Sequence, residues 1–186
     1  MLRLLELLKP DMFMGSVAEV DLDDLERRGI QGLLLDIDNT LVAWRKCNVP
    51  VDIREWIEEA HRRGFKMCLT SNTRNNRRLE RLAGELKMSF VRGVVKPRRG
   101  GFAKAMGIIG TVQSNTAVIG DQVFTDVLGG NRAGLFTILV KPLNKREFLG
   151  TKVSRLAERL LFGWIRRRGM TGTIPNLQAS DREDET

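Results

Sequence analysis

At 186 residues, with 42% hydrophobic and 29% charged residues, the chain suits one soluble domain with terminal additions. No apolar run approaches the roughly 20 residues of a membrane span, and Cys47 and Cys68 are too few for a disulfide framework and lack metal-ligand spacing. The formal charge is +8, but Thr171 to Thr186 carries −3, so residues 1–170 hold +11. That excess predicts anionic company: nucleic acid, an anionic membrane surface or a phosphorylated substrate.

Charges interrupt the apolar run of Met1 to Pro10 and no small-residue cleavage site follows, which argues against a signal peptide and for the cytosol. Residues 2–8 read as a short helix stopped by Pro10, and Met12 to Met14 precede the next helix start. Asp21, Asp23 and Asp24 cap a short helix that Gly29 ends. Residues 32–37 form a first strand, apolar almost throughout, as in a parallel sheet covered on both faces. Val51 to Arg63 is helical, with Ile53, Trp56, Ile57 and Ala60 on one face. A second strand, Phe65 to Thr70, runs into Ser71-Asn72-Thr73, and Arg74 to Lys87 is a basic helix with Leu79, Leu82 and Leu86 inward. Met88 to Val91 is a third strand, Gly100 to Ile109 a helix, and Thr116 to Gly120 a fourth strand ending at Asp121. Gln122 to Ala133 is helical and broken by Gly129-Gly130; Leu135 to Val140 is the fifth strand. This alternation predicts an α/β fold: a Rossmann-like three-layer sandwich on a parallel sheet. Residues 1–31 form an N-terminal extension with short helices, 32–150 the core, 151–170 a basic amphipathic helix, and 171–186 a polar, disordered tail.

Ligand sites in such sheets form at the carboxyl edge of the strands. The first strand brings Asp36 and Asp38 there, the second Thr70, Ser71 and Asn72, and the fourth Asp121, with Asp126 one helical turn on; Lys96 lies between them in the sequence. Two acids separated by Ile37 alone repel each other and lose hydration unless something positive joins them, either a divalent cation or a substrate that polarises under attack. The competing reading is an Asx-rich turn, since Asp, Asn and Thr all favour turns. The whole set suits phosphoryl transfer. A carboxylate can attack phosphorus, a second acid can move the proton, hard Mg²⁺ takes carboxylate oxygens, and a lysine with a hydroxyl holds the nonbridging oxygens.

Asp36-Ile37-Asp38-Asn39-Thr40-Leu41, Leu69-Thr70-Ser71-Asn72, Lys96-Pro97 and Gly120-Asp121-Gln122-Val123-Phe124-Thr125-Asp126 resemble, in order, the four motifs of haloacid dehalogenase superfamily phosphatases. The resemblance spans about residues 30–142 and implies a five-stranded sheet in the order 5-4-1-2-3. By position it makes Asp36 the nucleophile and Asp38 the general acid/base. Ser71, with Asn72, and Lys96 become the phosphate-binding residues. Asp36, the backbone carbonyl of Asp38, Asp121 and Asp126 become the Mg²⁺ site. The Asp-x-Asp-Asn-Thr form and the length look like the capless subclass IIIA, in a bacterial branch similar to the mitochondrial phosphatidylglycerophosphate phosphatase of fungi; Leu7 to Pro10 belongs to that match. Spacing supports the missing cap independently: 12 residues (Asn39 to Pro50) precede the first long helix, and four (Arg92 to Val95) precede Lys96.

The leading expectation is a Mg²⁺-dependent phosphomonoesterase acting on phosphatidylglycerophosphate, with reversible, peripheral membrane association. Its rivals are a soluble small-metabolite phosphatase and a non-enzymatic RNA- or ribosome-binding module. Trp44 and Trp56 read as core, and without further aromatic interleaving no nucleic-acid surface is expected. Arg45, Lys46, Arg74, Arg98 and Arg99 fall near motif ends, where a second phosphate or an anionic surface would lie. His61 reads as a solvated residue near a helix C-terminus and Cys68 as a small core residue. Val153, Leu156, Leu160, Leu161, Trp164 and Ile165 share one face of a segment, 152–168, with net charge +5, the pattern of an interfacial helix or of one packed on the core.

Overall fold

Gly32–Leu35 (β2) is buried at every position and lies at the centre of a parallel sheet, flanked by Lys66–Thr70 (β3) and Thr116–Gly120 (β5). The computed structural model describes residues 2–44, 46–72, 75–92 and 95–144. The helix expected over 152–168, the tail, Arg45 and Arg74 lie outside the described residues. Ser89–Val91 (β4) adds to β3 and Phe136–Val140 (β6) to β5. The order expected of five strands is present, and a sixth extends it: Met12–Met14 (β1) pairs with β6, giving β1-β6-β5-β2-β3-β4. Three residues are too few to declare a strand by periodicity; the register Met12↔Ile138 to Met14↔Val140 is a long-range contact.

Alternate residues of β2 face opposite layers, as the period of a strand requires. Two short helices, Leu2–Leu7 (α1) and Leu22–Arg27 (α2), precede β2. Leu33 and Leu35 join the core built with Val51–Arg62 (α3) and Asn76–Glu85 (α4), through Ile53, Trp56, Ile57, Leu79 and Leu82. Leu34 faces the other side, where Arg99–Ile109 (α5) packs Phe102, Ala105 and Met106 together with buried Cys68. Trp56 is core, its Nε1 donating to the Val20 carbonyl at 2.7 Å.

The segment after β5 differs from the expected helix. It begins as a π-helical turn, Val123–Val127, and continues as an α-helix, Leu128–Ala133, straight through Gly129-Gly130. The two glycines are there for close approach: a Cβ at Gly129 would press on Phe102 and Pro97, and one at Gly130 on Val118 and Thr137. Residues 36–50 connect β2 to α3 and residues 92–98 connect β4 to α5 at this edge, and both connections are loop-length.

Candidate active site

β2 ends at Leu35, two residues earlier than expected, so Asp36 is the first residue past the strand. Its N–H still donates to the Ile119 carbonyl of β5 at 2.9 Å, which ties the turn to the sheet edge. Asn39 then adopts φ 63°, a left-handed conformation that Asn tolerates better than most residues. Its N–H donates to Val42 O at 2.7 Å, its Oδ1 accepts from Trp44 N at 3.3 Å, and its carbonyl accepts from Leu143 N at 2.9 Å. The Asx turn and the acidic site are therefore one feature: the turn aims the two carboxylates.

Four charged groups from three strand ends meet behind that turn. Buried Lys96 places its Nζ 2.5 Å from Asp36 Oδ1 and 2.5 Å from Asp126 Oδ1. Carboxylate oxygens of Asp36, Asp121 and Asp126 lie within 4.8 Å of one another. Asp121 Oδ1 accepts from Thr40 Oγ1 at 3.4 Å, and Asp126 Oδ2 accepts from Gln122 N at 3.2 Å. Gly120 makes the approach possible, because a Cβ there would overlap the Asp126 carboxyl. Three buried acids around one lysine leave an excess of negative charge, and their hard oxygens suit a divalent cation such as Mg²⁺.

The electrostatics reflect that excess. Burial, reinforced by Asp126 and Asp38 and opposed by Lys96, pushes the Asp36 carboxyl up to about 7. Burial, with Asp36 and Asp126 adding to it, pushes Asp121 up to about 8. Burial disfavours the Lys96 ammonium, yet Asp126 and Asp36 outweigh it and hold the proton more tightly than usual. Raised carboxyl values mean that the folded state holds protons the unfolded chain has released. In chelator-treated protein, stability is thus expected to fall as pH rises from about 4 to about 8. Melting temperatures across that range check it, and the slope should flatten in Asp121→Asn; an unchanged slope in the variant would rule out this cluster as its source.

An open cavity of about 650 Å³ fronts the cluster, lined by Asp36, Asp38, Ser71, Asn72 and Lys96 among others. Ser71 is buried at its floor, as expected of a residue at the end of β3. Asn72 has a further duty: its Oδ1 accepts from Lys96 N at 2.8 Å and its Nδ2 donates to Lys96 O at 3.4 Å, clamping the lysine's backbone. Asp38 stands apart from the buried acids, with its Oδ1 2.8 Å from Arg78 Nη2. Arg78 had no part in the sequence reading, although its position one turn into α4, just after the Ser71-Asn72 end of β3, was the available signal. Trp44, expected in the core, is 41% exposed and forms one wall of the cavity. Of the basic residues near motif ends, Lys46 contributes its carbonyl, which accepts from Arg78 Nε and Nη2 at 3.0 and 2.6 Å. His61 is half-buried near the end of α3, its Nε2 3.0 Å from Leu86 O.

A family model described as HAD-hydrolase-like matches residues 94–146. The chain is 35% identical over 160 residues to the Bacillus subtilis (strain 168) protein named "Probable phosphatase YqeG", covering 86% of this chain and 92% of that one. It is 29% identical over 168 residues to the Arabidopsis thaliana protein named phosphatidylglycerophosphate phosphatase 1, chloroplastic/mitochondrial, covering 85% of this chain but 48% of the plant protein. Among solved structures, the 3-deoxy-D-manno-octulosonate 8-phosphate phosphatase of Moraxella catarrhalis, crystallised with magnesium, phosphate and KDO, superposes with a TM-score of 0.50 at 14% identity, over 77% of this chain and 92% of that one. At that identity the likeness is one of fold.

Proposed function

The chain belongs to the haloacid dehalogenase superfamily of phosphatases, and from that premise we propose that it is a Mg²⁺-dependent phosphomonoesterase acting on phosphatidylglycerophosphate. One observation carries the reading: Asp36, Asp121, Asp126 and Lys96 converge at the carboxyl edge of the sheet, with Asp38 in the same cavity as Asp36. Asp36 attacks phosphorus and carries the phosphoryl group as an aspartyl ester, splitting one hard step into two. Asp38 gives a proton to the leaving oxygen, then takes one from the water that cleaves the ester. Lys96 holds Asp36 and meets the charge on the phosphoryl oxygens, and the Ser71 hydroxyl binds a nonbridging oxygen. Asn72 acts through Lys96, whose backbone it grips. Asp36, Asp121 and Asp126, with the Asp38 carbonyl, would hold Mg²⁺, which would supply charge neutralisation at the phosphoryl group.

Two features support a lipid substrate. The Arabidopsis relative bears that activity in its name. In addition, the exposed side chain of Trp44 lines the cavity, and the exposed Leu143 and Val95 lie nearby along the chain: the Leu143 N–H donates to the Asn39 carbonyl, and Val95 precedes Lys96. An exposed apolar wall beside the site suits a substrate that stays in a surface. No helix among the described residues is long and apolar enough to cross a membrane. In this reading reversible docking falls to the basic segment 151–170, outside the 32–150 core, where each basic residue near an anionic surface contributes on the order of 1 kcal/mol.

The test is a phosphate-release screen of phosphatidylglycerophosphate in micelles beside soluble phosphate esters, with Mg²⁺ and with EDTA. The lipid is expected to be the best substrate and EDTA to abolish turnover. Deleting residues 152–186 should spare a soluble ester but weaken both lipid turnover and sedimentation with anionic liposomes, provided circular dichroism finds the variant folded. Equal turnover of a soluble metabolite would sink the lipid assignment, and full activity in EDTA would sink the metal.

A further inference from the structure

We propose that Arg78 is a receptor for a second anionic group on the leaving alcohol, selecting substrates with two negative centres over those whose leaving group is neutral. This rests on the reading above, in which Asp36 attacks and Asp38 serves the leaving oxygen.

Among the described residues, the cavity has two cations, and they are divided in place. Lys96 is committed at the back, bonded to Asp36 and Asp126. Arg78 is bonded to Asp38, so it lies on the leaving-group side of the scissile bond. Its side chain is only 9% exposed, although arginine is rarely buried without anionic partners. Its backbone N–H is fixed by the Asn75 cap at 3.1 Å, and the Lys46 carbonyl holds the guanidinium by Nε and Nη2. A planar fork held this way is pre-organised for an oxyanion.

Among the described residues, the contacts of Arg78 all fall on Nε and Nη2. A guanidinium has five N–H donors, so the pair on Nη1 can serve a further acceptor. A phosphate oxygen also matches the fork well enough to compete for the edge that Asp38 now takes. Among the described residues, the remaining lining, Trp44, Ser71, Asn72, Asn75, Gln122 and Thr125, carries no charge. A second negative centre in the substrate has Arg78 to meet it.

The chemistry recognised is a phosphoryl oxyanion, which could come from a soluble bisphosphate or from the diester of a lipid headgroup. Three substrates separate these: glycerol 1,3-bisphosphate, phosphatidylglycerophosphate in micelles, and glycerol 3-phosphate, whose leaving alcohol is neutral. Arg78→Gln should slow all three, because Asp38 loses a partner. For a doubly anionic substrate, kcat/KM should fall further by about tenfold or more, mainly through KM, as expected for losing a hydrogen bond to a charged group. Arg78→Lys should recover part of the preference. An extra loss on the lipid alone assigns the receptor to a diester; a loss on both assigns it to any second phosphoryl group. Equal losses confined to kcat would make Arg78 a positioning residue for Asp38 and overturn the proposal. Calorimetry on Asp36→Asn tests binding without turnover: the bisphosphate should bind more tightly than glycerol 3-phosphate, and adding Arg78→Gln should remove the difference. Absence of that preference also overturns the proposal, whereas failure of the wild-type protein to hydrolyse any ester overturns the phosphatase reading instead.

Discussion

Asp36→Asn is expected to abolish phosphate release, by roughly four orders of magnitude or more, while leaving the protein folded. The amide has the shape of the carboxylate and can still accept from Lys96 through its Oδ1. It has no anionic oxygen with which to attack phosphorus, so no covalent ester forms. The fold should survive because the substitution removes one of three buried acids that crowd a single lysine. With the Asp36 carboxyl pushed up to about 7 by burial, its negative charge is held at a cost near neutral pH. The melting temperature of Asp36→Asn should therefore equal or exceed that of the wild type at pH 8. Phosphate release and circular dichroism on the same sample check both parts, and retained turnover would remove Asp36 from the nucleophile's role.

Lys96→Met is expected to do the reverse, costing stability as well as activity. Methionine fills a similar volume but leaves Asp36, Asp121 and Asp126 with no cation among them. Removing one partner of a buried ion pair costs about 3–5 kcal/mol, most of it from the charge left behind. The sign with pH follows from the carboxyl values. Below about 5 the acids can take up protons and the loss should be small; near pH 8, where Asp36 and Asp121 are driven to ionise, it should be largest. Mg²⁺ should restore part of the stability at pH 8 by replacing the missing charge. Urea unfolding at pH 5 and pH 8, with EDTA and with Mg²⁺, measures this. Equal stability of wild type and variant at pH 8 in EDTA would mean that Lys96 does not neutralise the cluster.

The acids and the lysine are legible in the sequence, whereas Arg78 is not. Asp36, Asp121 and Lys96 each occur in a short segment whose neighbours declare a strand end or a glycine-permitted turn. Arg78 sits among Arg77, Arg81 and Glu80 on a helix that looks like an ordinary solvated face. Only the packing of α4 beside the β2–α3 loop singles it out, by bringing the Lys46 carbonyl and Asp38 to one guanidinium.

By itself the sequence determined the layered α/β fold, the burial of Gly32–Leu35 as a parallel strand and the edge on which the acids gather, while the central place of that strand was what the family resemblance implied. Burial on both faces requires apolar runs, and a strand end requires an abrupt polar turn; both are local patterns that a linear chain displays. The tertiary structure alone decided the sixth strand, the exposure of Trp44 and the clamp of Asn72 on Lys96. It also decided which cation serves which carboxylate. Those depend on which distant residue comes within a hydrogen bond's reach, and a partner chosen across the sheet leaves no periodic trace along the chain.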